Sequence, residues 1–382
     1  MISVSRLLCD MHGPGDYLRY ENHRNIGPVV VWNITRQCNL KCFHCYANSK
    51  PGITPREIDT RSGVEFISDL ASLNVPAILF SGGEPLMRKD ILKLAAFAHS
   101  KGIKTTLSTN GTLINEDLAS DLKQQDFTEI GISLDGSQST NDYFRGVKGA
   151  YDSALSGIKN CKKYGLRVSL RFTITLYNYQ DIPAIMNLCE QEEIDRICFY
   201  HLVYTGRGTD LRNEDLNHHQ KRHVLDTICE MTLDMYSRGH KKEVLTVGNH
   251  CDGIYIYFKL MESDPMRAEH AYELLHINGG NNSGIKIGAV DDEGNVHPDQ
   301  FWWHYSLGNI RERKFSQIWM DLNEPLLRGL HNRKHLLKGR CKYCRYLSIC
   351  NGNLRVRAEA VYGDIWAPDP ACYLTDEEIG IL

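Results

Sequence analysis

The sequence predicts an α/β fold built on a parallel sheet, and three observations support this prediction. Short apolar or β-branched segments alternate with longer amphipathic segments between residues 29 and 201. Strands that alternate with helices form parallel sheets, because each helix carries the chain back across one face. Polar motifs follow several of the strands, as in barrels whose sites lie at the C-terminal face. The chain has 382 residues and 42% hydrophobic content, enough for a substantial core. We expect a partial (β/α)6 barrel of the TIM type; a doubly wound open sheet is the alternative from the pattern alone.

The elements follow in order along the first half of the chain. Residues 1–27 are polar and rich in turn formers, and we interpret them as an N-terminal leader that covers the barrel. The barrel is predicted to span residues 28–208. Its strands are predicted at residues 29–34, 77–80, 105–107, 130–134, 167–175 and 196–201. Its helices are predicted at residues 63–73, 88–101, 116–125, 150–164 and 182–193.

The second half has a different pattern. Residues 209–284 are interpreted as a helical connector, with helices at 217–238 and 264–275. Residues 285–382 begin with a predicted hairpin and contain four cysteines among short elements. So small a segment buries too little apolar surface to be stable alone, and a metal cluster would supply cross-links.

Composition excludes several classes of protein. A net charge of −3 argues against a nucleic-acid partner, which needs a broad basic surface. No apolar run approaches the roughly 18 residues of a membrane span, so no membrane partner is expected. The N-terminus shows no charged-then-apolar signal pattern, and we expect a cytoplasmic location. In that reducing compartment, the thirteen cysteines are better interpreted as containing metal ligands than as disulfides.

Three cysteines, Cys38, Cys42 and Cys45, directly follow the first predicted strand with the spacing C-x3-C-x2-C. Three thiolates bound to a four-iron cluster leave one iron open for a small molecule. The alternatives are a structural zinc site and cysteines that are simply buried as small apolar residues, but zinc usually takes four ligands. His44 is a poor fourth ligand, because it lies between two of the cysteines in a tight loop.

A Gly-Gly-Glu-Pro motif follows the second predicted strand. Gly82 and Gly83 permit close backbone approach, and Glu84 offers a carboxylate to a cationic amine. Alone, the motif is also compatible with an ordinary strand-to-helix turn that carries an acidic residue near a helix N-terminus.

The cysteine triplet and this glycine motif together resemble the radical S-adenosylmethionine (SAM) superfamily. In that family the open iron binds the amino and carboxylate groups of SAM, and reductive cleavage gives a 5′-deoxyadenosyl radical. The resemblance implies an enzyme with a [4Fe–4S] cluster on the triplet and an electron donor of the ferredoxin or flavodoxin kind. It assigns no catalytic side chain beyond the cluster ligands. The cofactor-binding residues that it implies are Gly82, Gly83, Glu84, His44, Ser108, Asn110, Ser133, Asp135 and Arg171. Gly82, Gly83 and Glu84 would face the methionine moiety and His44 the adenine, whereas Ser133 and Asp135 would meet the ribose and Arg171 the SAM carboxylate. Turn formation or ordinary solvation at a strand end is the alternative role for the last five residues in that list.

The C-terminal cysteines resemble the shortened auxiliary-cluster domain of the same superfamily, related to its SPASM and twitch domains. The four residues are Cys341, Cys344, Cys350 and Cys372. The longer auxiliary domain has seven cysteines and two clusters, so we expect one auxiliary [4Fe–4S] cluster here. Zinc is the alternative metal, since C-x2-C spacing suits it. A histidine such as His297 is an alternative to one of the cysteine ligands.

The resemblance extends over nearly the whole chain to the tetrapyrrole-modifying branch of this superfamily. It rests on the segments 297–304, 307–311, 350–358 and 369–374. It implies an enzyme of haem biosynthesis, an oxidoreductase or lyase, with an iron tetrapyrrole as substrate. Segments 1–20 and 247–255 favour the group that removes two acetate side chains from 12,18-didecarboxysiroheme, giving Fe-coproporphyrin III. Removal of propionate side chains, as in haem d1 biosynthesis, is the first alternative, and peptide maturation is the second. A non-enzymatic cluster carrier would need neither the glycine motif nor a barrel.

Candidate substrate contacts follow from the shape and charge of such a substrate. Arginines pair with carboxylates, aromatic side chains cover a flat ring, and histidines bind iron or transfer protons. For each residue, an ordinary structural role is the alternative. The candidates are Arg145, Arg207, Arg311, Arg355, Arg357, Phe301, Trp302, Trp303, Tyr305, His250, His297 and His304.

Overall fold

A computed structural model describes residues 1–22, 25–52 and 54–381 of the chain. Within these ranges one mixed sheet of eleven strands organises the molecule. The strands are β1 (Ile2–Ser3), β2 (Val29–Asn33), β3 (Ala77–Ser81), β4 (Lys104–Thr109), β5 (Glu129–Ser133), β6 (Val168–Ile174), β7 (Arg196–His201), β8 (Glu243–Val247), β9 (Ile287–Val290), β10 (Asn295–His297) and β11 (Gly308–Asn309).

Strands β2 to β8 lie side by side in chain order, and every neighbouring pair among them is parallel. A doubly wound sheet reverses its strand order at a switch point, which this sheet does not do. The steady progression in one direction is that of a partial barrel, so the predicted fold class is confirmed. All six predicted strands are present, and β8 adds a seventh parallel strand inside the segment that was predicted to be a helical connector.

Seventeen α-helices accompany the sheet in the described part of the chain. They are α1 (Val4–Cys9), α2 (Asp16–Tyr20), α3 (Thr60–Ser72), α4 (Ile91–Ser100), α5 (Glu116–Gln124), α6 (Gln138–Arg145), α7 (Ala150–Lys163), α8 (Ile182–Gln191), α9 (His218–Ser237), α10 (Cys251–Ser263), α11 (Pro265–Asn278), α12 (Phe315–Trp319), α13 (Pro325–His331), α14 (Arg333–Leu336), α15 (Gly339–Tyr343), α16 (Leu347–Cys350) and α17 (Arg355–Tyr362). The predicted helices correspond to α3, α4, α5, α7, α8, α9 and α11. Helices α1, α2, α6 and α10 were not predicted, and α12 to α17 are the short elements expected in the C-terminal segment. None of the helices in the described residues is long and apolar enough to cross a membrane.

The N-terminal segment joins the sheet as well as lying over it. Strand β1 pairs antiparallel with β8, and Arg19 of α2 forms an ion pair with Glu243 at the start of β8. Glu243 is buried and also forms ion pairs with Arg167 at 3.0 Å and with Arg196 at 2.7 Å. Burial disfavours the carboxylate, but the three arginines outweigh that effect and lower the pKa of Glu243. One buried anion therefore connects the leader to the N-terminal end of the barrel.

The C-terminal region extends the same sheet at the opposite edge. Strand β9 pairs in parallel with β2 over four residues, and the hairpin partner β10 and the short β11 follow. Further along the chain, a buried ion pair joins Arg357 of α17 to Asp369 at 3.1 Å. Arg357 also donates to the carbonyl oxygens of Leu202 and Gly248, which follow β7 and β8. These contacts fix the C-terminal region to the end of the barrel that carries the site.

Candidate functional site

The predicted polar motifs meet at the C-terminal edge of the parallel strands. A cavity of about 180 Å³ lies there, and its lining draws on the ends of six strands, β2 to β7, and the loops that follow them. Lining residues from the sequence-predicted set are Cys38, Cys42, Cys45, His44, Gly82, Gly83, Ser108, Asn110, Ser133 and Arg171. Parallel strands place their carboxyl ends at one edge, so residues far apart in sequence converge on one volume.

The glycine motif packs directly against the cysteine loop. A Cβ atom on Gly83 would lie 2.2 Å from the carbonyl oxygen of Gln37, closer than any real contact of this kind. The amides of Gly83 and Glu84 donate to the carbonyl oxygens of Thr35 and Gln37, at 2.6 and 2.7 Å. Glycine is therefore required for the two motifs to approach each other.

Glu84 is turned away from the cavity, although the motif led us to expect its carboxylate to face a bound amine. The side chain is fully buried. It accepts hydrogen bonds from Thr109 Oγ1 at 2.7 Å, the amide of Asn110 at 2.8 Å and the amide of Leu86 at 3.1 Å. Burial raises the pKa of Glu84 to about 7 against these donors. In this arrangement Glu84 joins the glycine turn to the end of β4.

Asp135 is likewise withdrawn from the cavity that Ser133 lines. Its carboxylate is fully buried, forms an ion pair with Arg145, and lies 3.3 Å from His44 Nε2. The amide of Thr173 donates to its other oxygen at 2.7 Å. Its predicted contact with a ribose is therefore not supported, because hydrogen bonds and charge pairs within the protein already hold both oxygens.

Arg145 lies between this carboxylate and the cysteine loop. Its Nη1 atom is 3.6 Å from the sulfur of Cys42, and on the other side of the loop Asn110 Nδ2 is 3.9 Å from the sulfur of Cys38. N–H donors around cysteine sulfurs are typical of iron–sulfur sites, where they set the reduction potential. Three cysteines beside such donors, in a cavity that also contains cations, fit a four-iron cluster with an open iron.

Arg171 reaches the cavity by passing over β5. A Cβ atom on Gly131 would lie 2.2 Å from the Arg171 side chain, so the glycine makes the space that this side chain occupies. The guanidinium then donates to Ser108 Oγ on β4. A cation at this position is available to an anionic group in the cavity.

His44 is held beside the cluster loop. Its ring lies 5.0 Å from that of Phe144, and Nδ1 is buried with no hydrogen-bond partner among the described residues. Burial lowers the pKa of His44 to about 4, although the nearby Asp135 favours the charged form. His44 is therefore a neutral, flat ring at the cavity wall, as a stacking role requires.

The arginines predicted to meet substrate carboxylates mostly bind the protein itself. Arg207 donates to the carbonyl oxygens of Cys42 and Ser49 and so clamps the cysteine loop, at 2.7 and 2.8 Å. Arg355 is fully buried and donates to the carbonyl oxygens of Ile365 and Ala367. Arg357 is committed to Asp369, and Arg311 donates to backbone carbonyls outside the cavity. Of the five candidates only Arg145 lines the cavity.

The aromatic and histidine candidates divide in the same way. Phe301 lines the cavity, whereas Trp302 is wholly buried in the C-terminal core. Trp303 lies under the guanidinium of Arg36 at 4.6 Å. His297 Nδ1 is 2.7 Å from the carbonyl oxygen of Tyr305, and its other ring nitrogen faces Asp291. The remaining three lie elsewhere: His304 and Tyr305 pair with Glu359 and Glu324, and His250 is buried beside Asn353.

Several cavity residues were missed by sequence reasoning. Tyr200 and His201 close β7, and Tyr46 hydrogen-bonds to Asn33 and Ser81 at the ends of β2 and β3. Their position at strand ends was the available signal, but many strand-end residues in this chain are equally polar.

The four C-terminal cysteines gather around a second, much smaller cavity of about 20 Å³. Cys341, Cys344, Cys350 and Cys372 all line it, together with a fifth cysteine, Cys251. Burial raises the pKa of the Cys341 thiol to about 11, whereas the nearby Arg355 favours its thiolate. Within the described residues, no three His, Cys, Asp or Glu side chains are grouped to hold a single metal ion.

The fold and the first cavity define the class of protein. A parallel α/β barrel that brings three cysteines, a glycine turn and cationic side chains to one edge is built to hold an iron–sulfur cluster and a small polar cofactor. The sequence profile of the radical SAM superfamily matches residues 32–189, which contain both motifs.

Comparison of the whole chain supports the same assignment. It is similar to Fe-coproporphyrin III synthase of Methanosarcina barkeri, with 54% identity over all of this chain and 99% of the relative. It is also similar to pre-heme d1 synthase of Dinoroseobacter shibae, with 41% identity over 92% of this chain and 88% of that one. The chain belongs to the radical SAM superfamily and is an enzyme of that superfamily, which uses a [4Fe–4S] cluster and SAM.

The fold of the C-terminal region has counterparts in solved structures. The crystal structure of Streptococcus suis SuiB bound to its precursor peptide SuiA aligns with a TM-score of 0.73 at 20% identity. The alignment covers 92% of this chain and 76% of SuiB. The likeness therefore extends beyond the barrel into the region that contains the second set of cysteines.

Proposed function

We propose that this enzyme removes the two acetate side chains of 12,18-didecarboxysiroheme and so produces Fe-coproporphyrin III. The observation that carries the proposal is the 54% identity, over the full length of both chains, to a relative named for that product. The pre-heme d1 synthase is less similar, at 41% identity, which favours acetate over propionate as the group removed.

Within the first cavity, we propose that Cys38, Cys42 and Cys45 bind the cluster. When bound, the cluster and SAM supply a 5′-deoxyadenosyl radical that removes hydrogen from the substrate. The backbone of Gly82 and Gly83 lines the methionine end of the proposed SAM site. Arg171 offers its guanidinium to the SAM carboxylate, which it is suited to bind through two hydrogen bonds.

The remaining predicted residues complete this proposed SAM site. Ser108, Asn110 and Ser133 line the cavity and provide hydroxyl and amide groups to the nucleoside. His44 presents its neutral ring to the adenine. Glu84 and Asp135 do not line the cavity but support residues that do. Glu84 holds the glycine turn in place, and Asp135 holds Arg145 and His44.

The tetrapyrrole is proposed to enter from the side of the cavity formed by the C-terminal region. Phe301 forms part of that wall, and its ring lies 5.4 Å from that of Tyr46. Trp303 and the partly exposed Arg36 lie next to this pair. An aromatic surface beside a guanidinium suits a flat macrocycle with carboxylates at its rim.

We further propose that Cys341, Cys344, Cys350 and Cys372 bind one auxiliary [4Fe–4S] cluster. The support is their convergence on one buried cavity and the presence of Arg340 and Arg355 near them, which offset thiolate charge. A reduced protein of the ferredoxin or flavodoxin kind is the proposed electron donor.

One experiment separates the candidate functions. The protein is reconstituted with iron and sulfide without oxygen, reduced with dithionite, and given SAM and 12,18-didecarboxysiroheme. Mass spectrometry of the macrocycle should show loss of two acetate groups, with 5′-deoxyadenosine as co-product. Loss of propionate groups would show that the enzyme catalyses the haem d1 type of reaction. An unchanged macrocycle would rule out both acetate removal and propionate removal. Metal analysis of the same sample should give about eight iron atoms per chain, whereas four iron and one zinc would overturn the auxiliary-cluster proposal.

A further inference from the structure

Two tyrosines line the first cavity, and their hydroxyl groups are held differently. The hydroxyl of Tyr46 donates to Asn33 Oδ1 at 3.0 Å and lies 2.9 Å from Ser81 Oγ, so it is bound to the ends of two strands. The hydroxyl of Tyr200 makes no hydrogen bond with any residue in the described part of the chain. Of these two phenols, Tyr200 is therefore the one that is free to act on a bound molecule.

The register of the sheet places the Tyr200 side chain inside the barrel. Successive side chains of a strand point to opposite faces, and directly paired residues of neighbouring strands share a face. Phe199 pairs with Phe172, and their rings pack 5.7 Å apart in the core between sheet and helices. Tyr200 therefore points the other way, beside its own partner Thr173, which also lines the cavity.

Tyr200 is close both to the proposed SAM site and to the proposed entry wall for the tetrapyrrole. Burial raises the pKa of Tyr200 to about 12; the nearby Arg171 opposes that shift, and the nearby Tyr46 adds to it. Arg171 belongs to the proposed SAM site, whereas the ring of Tyr46 lies 5.4 Å from that of Phe301 in the entry wall. The phenol therefore keeps its hydrogen at the place where cofactor and substrate would meet.

The proposed reaction needs a hydrogen donor, and the need follows from its atom balance. Hydrogen is first removed from the ring carbon next to the one that carries the acetate arm. The bond from the ring to the CH2 group then breaks homolytically; one of its electrons completes a new ring double bond, and the arm leaves as the carboxymethyl radical, •CH2COO⁻. One hydrogen atom must be added to the CH2 carbon of that radical to give acetate, CH3COO⁻.

We propose that Tyr200 is a catalytic residue that gives this hydrogen atom to the departing radical. The phenol O–H bond breaks homolytically, a C–H bond forms on acetate, and Tyr200 is left as a neutral tyrosyl radical. One electron from the ferredoxin- or flavodoxin-type donor and one proton from water then restore the phenol, so that the same residue serves both acetate arms. This inference rests on the proposed function, because it names the hydrogen donor for acetate release.

The surroundings of Tyr200 favour transfer of a hydrogen atom over transfer of a proton alone. Loss of a proton alone would create a phenolate, which burial disfavours. Loss of a hydrogen atom leaves no charge on the ring, so burial does not oppose it. A phenol O–H bond is also weaker than the C–H bond that forms on acetate, and the transfer is therefore downhill.

The test uses Tyr200→Phe, which removes only the hydroxyl group. Tyr236→Phe is the control, because it is the same change on α9, where 37% of the Tyr236 surface is exposed. In D2O the phenol carries deuterium, whereas the carbon-bound hydrogens of the SAM methylene group do not exchange. In a single turnover, acetate from wild type and from the control should therefore carry one deuterium per molecule. Tyr200→Phe should form 5′-deoxyadenosine at the wild-type rate but should lose the deuterium from its acetate.

Two further measurements distinguish hydrogen transfer from packing. Excess reductant is removed before a single turnover, and samples frozen at intervals are measured by electron paramagnetic resonance. Wild type should show a tyrosyl signal whose splitting changes when the protein contains ring-deuterated tyrosine, and Tyr200→Phe should not show it. The affinity of Tyr200→Phe for 12,18-didecarboxysiroheme, measured by absorbance titration without SAM, should match that of wild type. Weakened substrate affinity in this variant, or a wild type without a tyrosyl signal, would overturn the catalytic role.

The outcome for the wild-type protein separates the two proposals. If wild type forms no Fe-coproporphyrin III, the proposed function fails. If wild type forms it but its acetate carries no deuterium, the hydrogen comes from a carbon atom, and only the inference about Tyr200 is wrong. The inference is equally wrong, and the proposed function stands, if Tyr200→Phe releases deuterated acetate at the wild-type rate.

Discussion

Replacing Gly83 with Ala should disrupt the cluster loop, because the new methyl group has no space. Its Cβ would lie 2.2 Å from the carbonyl oxygen of Gln37, whereas real Cβ contacts remain beyond 3.0 Å. The carbonyl must therefore move by at least 0.8 Å, the difference between these two distances. The obstacle is backbone, held by the hydrogen bond that the amide of Glu84 donates to that same carbonyl at 2.7 Å.

The expected cost of this overpacking is about 1–3 kcal/mol of unfolding free energy. Because Gln37 directly precedes Cys38, the displacement reaches the first cluster ligand. We expect the variant to bind less iron at the triplet after reconstitution and to bind SAM more weakly.

The matched control is Gly63→Ala, the same chemical change within helix α3. Its Cβ would lie 3.0 Å from side-chain atoms of Leu94 and Trp32, which need to move only slightly. Iron content, SAM affinity by equilibrium dialysis and the urea unfolding midpoint are measured for both variants. The reasoning would be refuted if Gly83→Ala matched Gly63→Ala in all three measurements.

Three other predictions test separate parts of the molecule. Cys341→Ala should lose about four iron atoms per chain and form no product, while still cleaving SAM. The control, Cys229→Ala in the buried face of α9, should keep its full iron content. Product formation by Cys341→Ala would contradict a role for the auxiliary cluster. Arg357→Met should lower the unfolding free energy by about 3–5 kcal/mol in urea, since it leaves Asp369 buried without its cation. Adding Asp369→Asn should restore part of that unfolding free energy. Equal instability of the single and double variants would show that the unpaired charge is not the cause. Glu243→Gln should cost about 3–5 kcal/mol above pH 4.5, because three arginines then surround a neutral side chain. Because folding lowers the pKa of Glu243, the carboxylate stabilises the fold above its unfolded-state pKa, and this stabilisation is lost as pH falls through its folded-state pKa. The difference in unfolding free energy between wild type and Glu243→Gln should therefore shrink on acidification. A difference that stays constant with pH would falsify this account.

The sequence allowed the barrel to be predicted because each of its units is locally encoded. Residues 29–34 and 196–201 are rich in β-branched and aromatic side chains, and each is separated from its neighbours by a helix long enough to cross the sheet. Strand β8 was missed although Val244, Thr246 and Val247 are β-branched, because Glu243–Val247 is a short run between two long helices. The rule that a parallel strand follows each crossover helix would have found it after α9.

The sequence predicted which residues lie at the cavity better than it predicted which way their side chains point. Ten of the twelve residues predicted for the first site line the cavity. The ends of parallel strands converge at one edge of the sheet regardless of side-chain identity. Glu84 and Asp135 face away from it, since each is held by donors from a different element: Thr109 and Asn110 in one case and Arg145 in the other. Such partners depend on packing between strands, which one sequence does not specify.

His201 illustrates the same limit from the other side. Nothing near it in sequence distinguishes it from the other fifteen histidines of the chain. Its hydrogen-bond partner Asp252, at the start of α10, lies 51 residues further along the chain. Tyr373, which also binds Asp252, lies another 121 residues beyond it, near the C-terminus.

The pairing of β9 with β2 has a consequence for how the chain can be divided. A truncated protein ending near residue 284 would contain every barrel strand, yet it would expose the backbone of Val29–Asn33 along a free edge. Four of these five residues are apolar, and an unprotected apolar edge is a template for pairing with other chains. We therefore expect the isolated barrel to aggregate, and the C-terminal region to act as a built-in protector of that edge in addition to any role in chemistry.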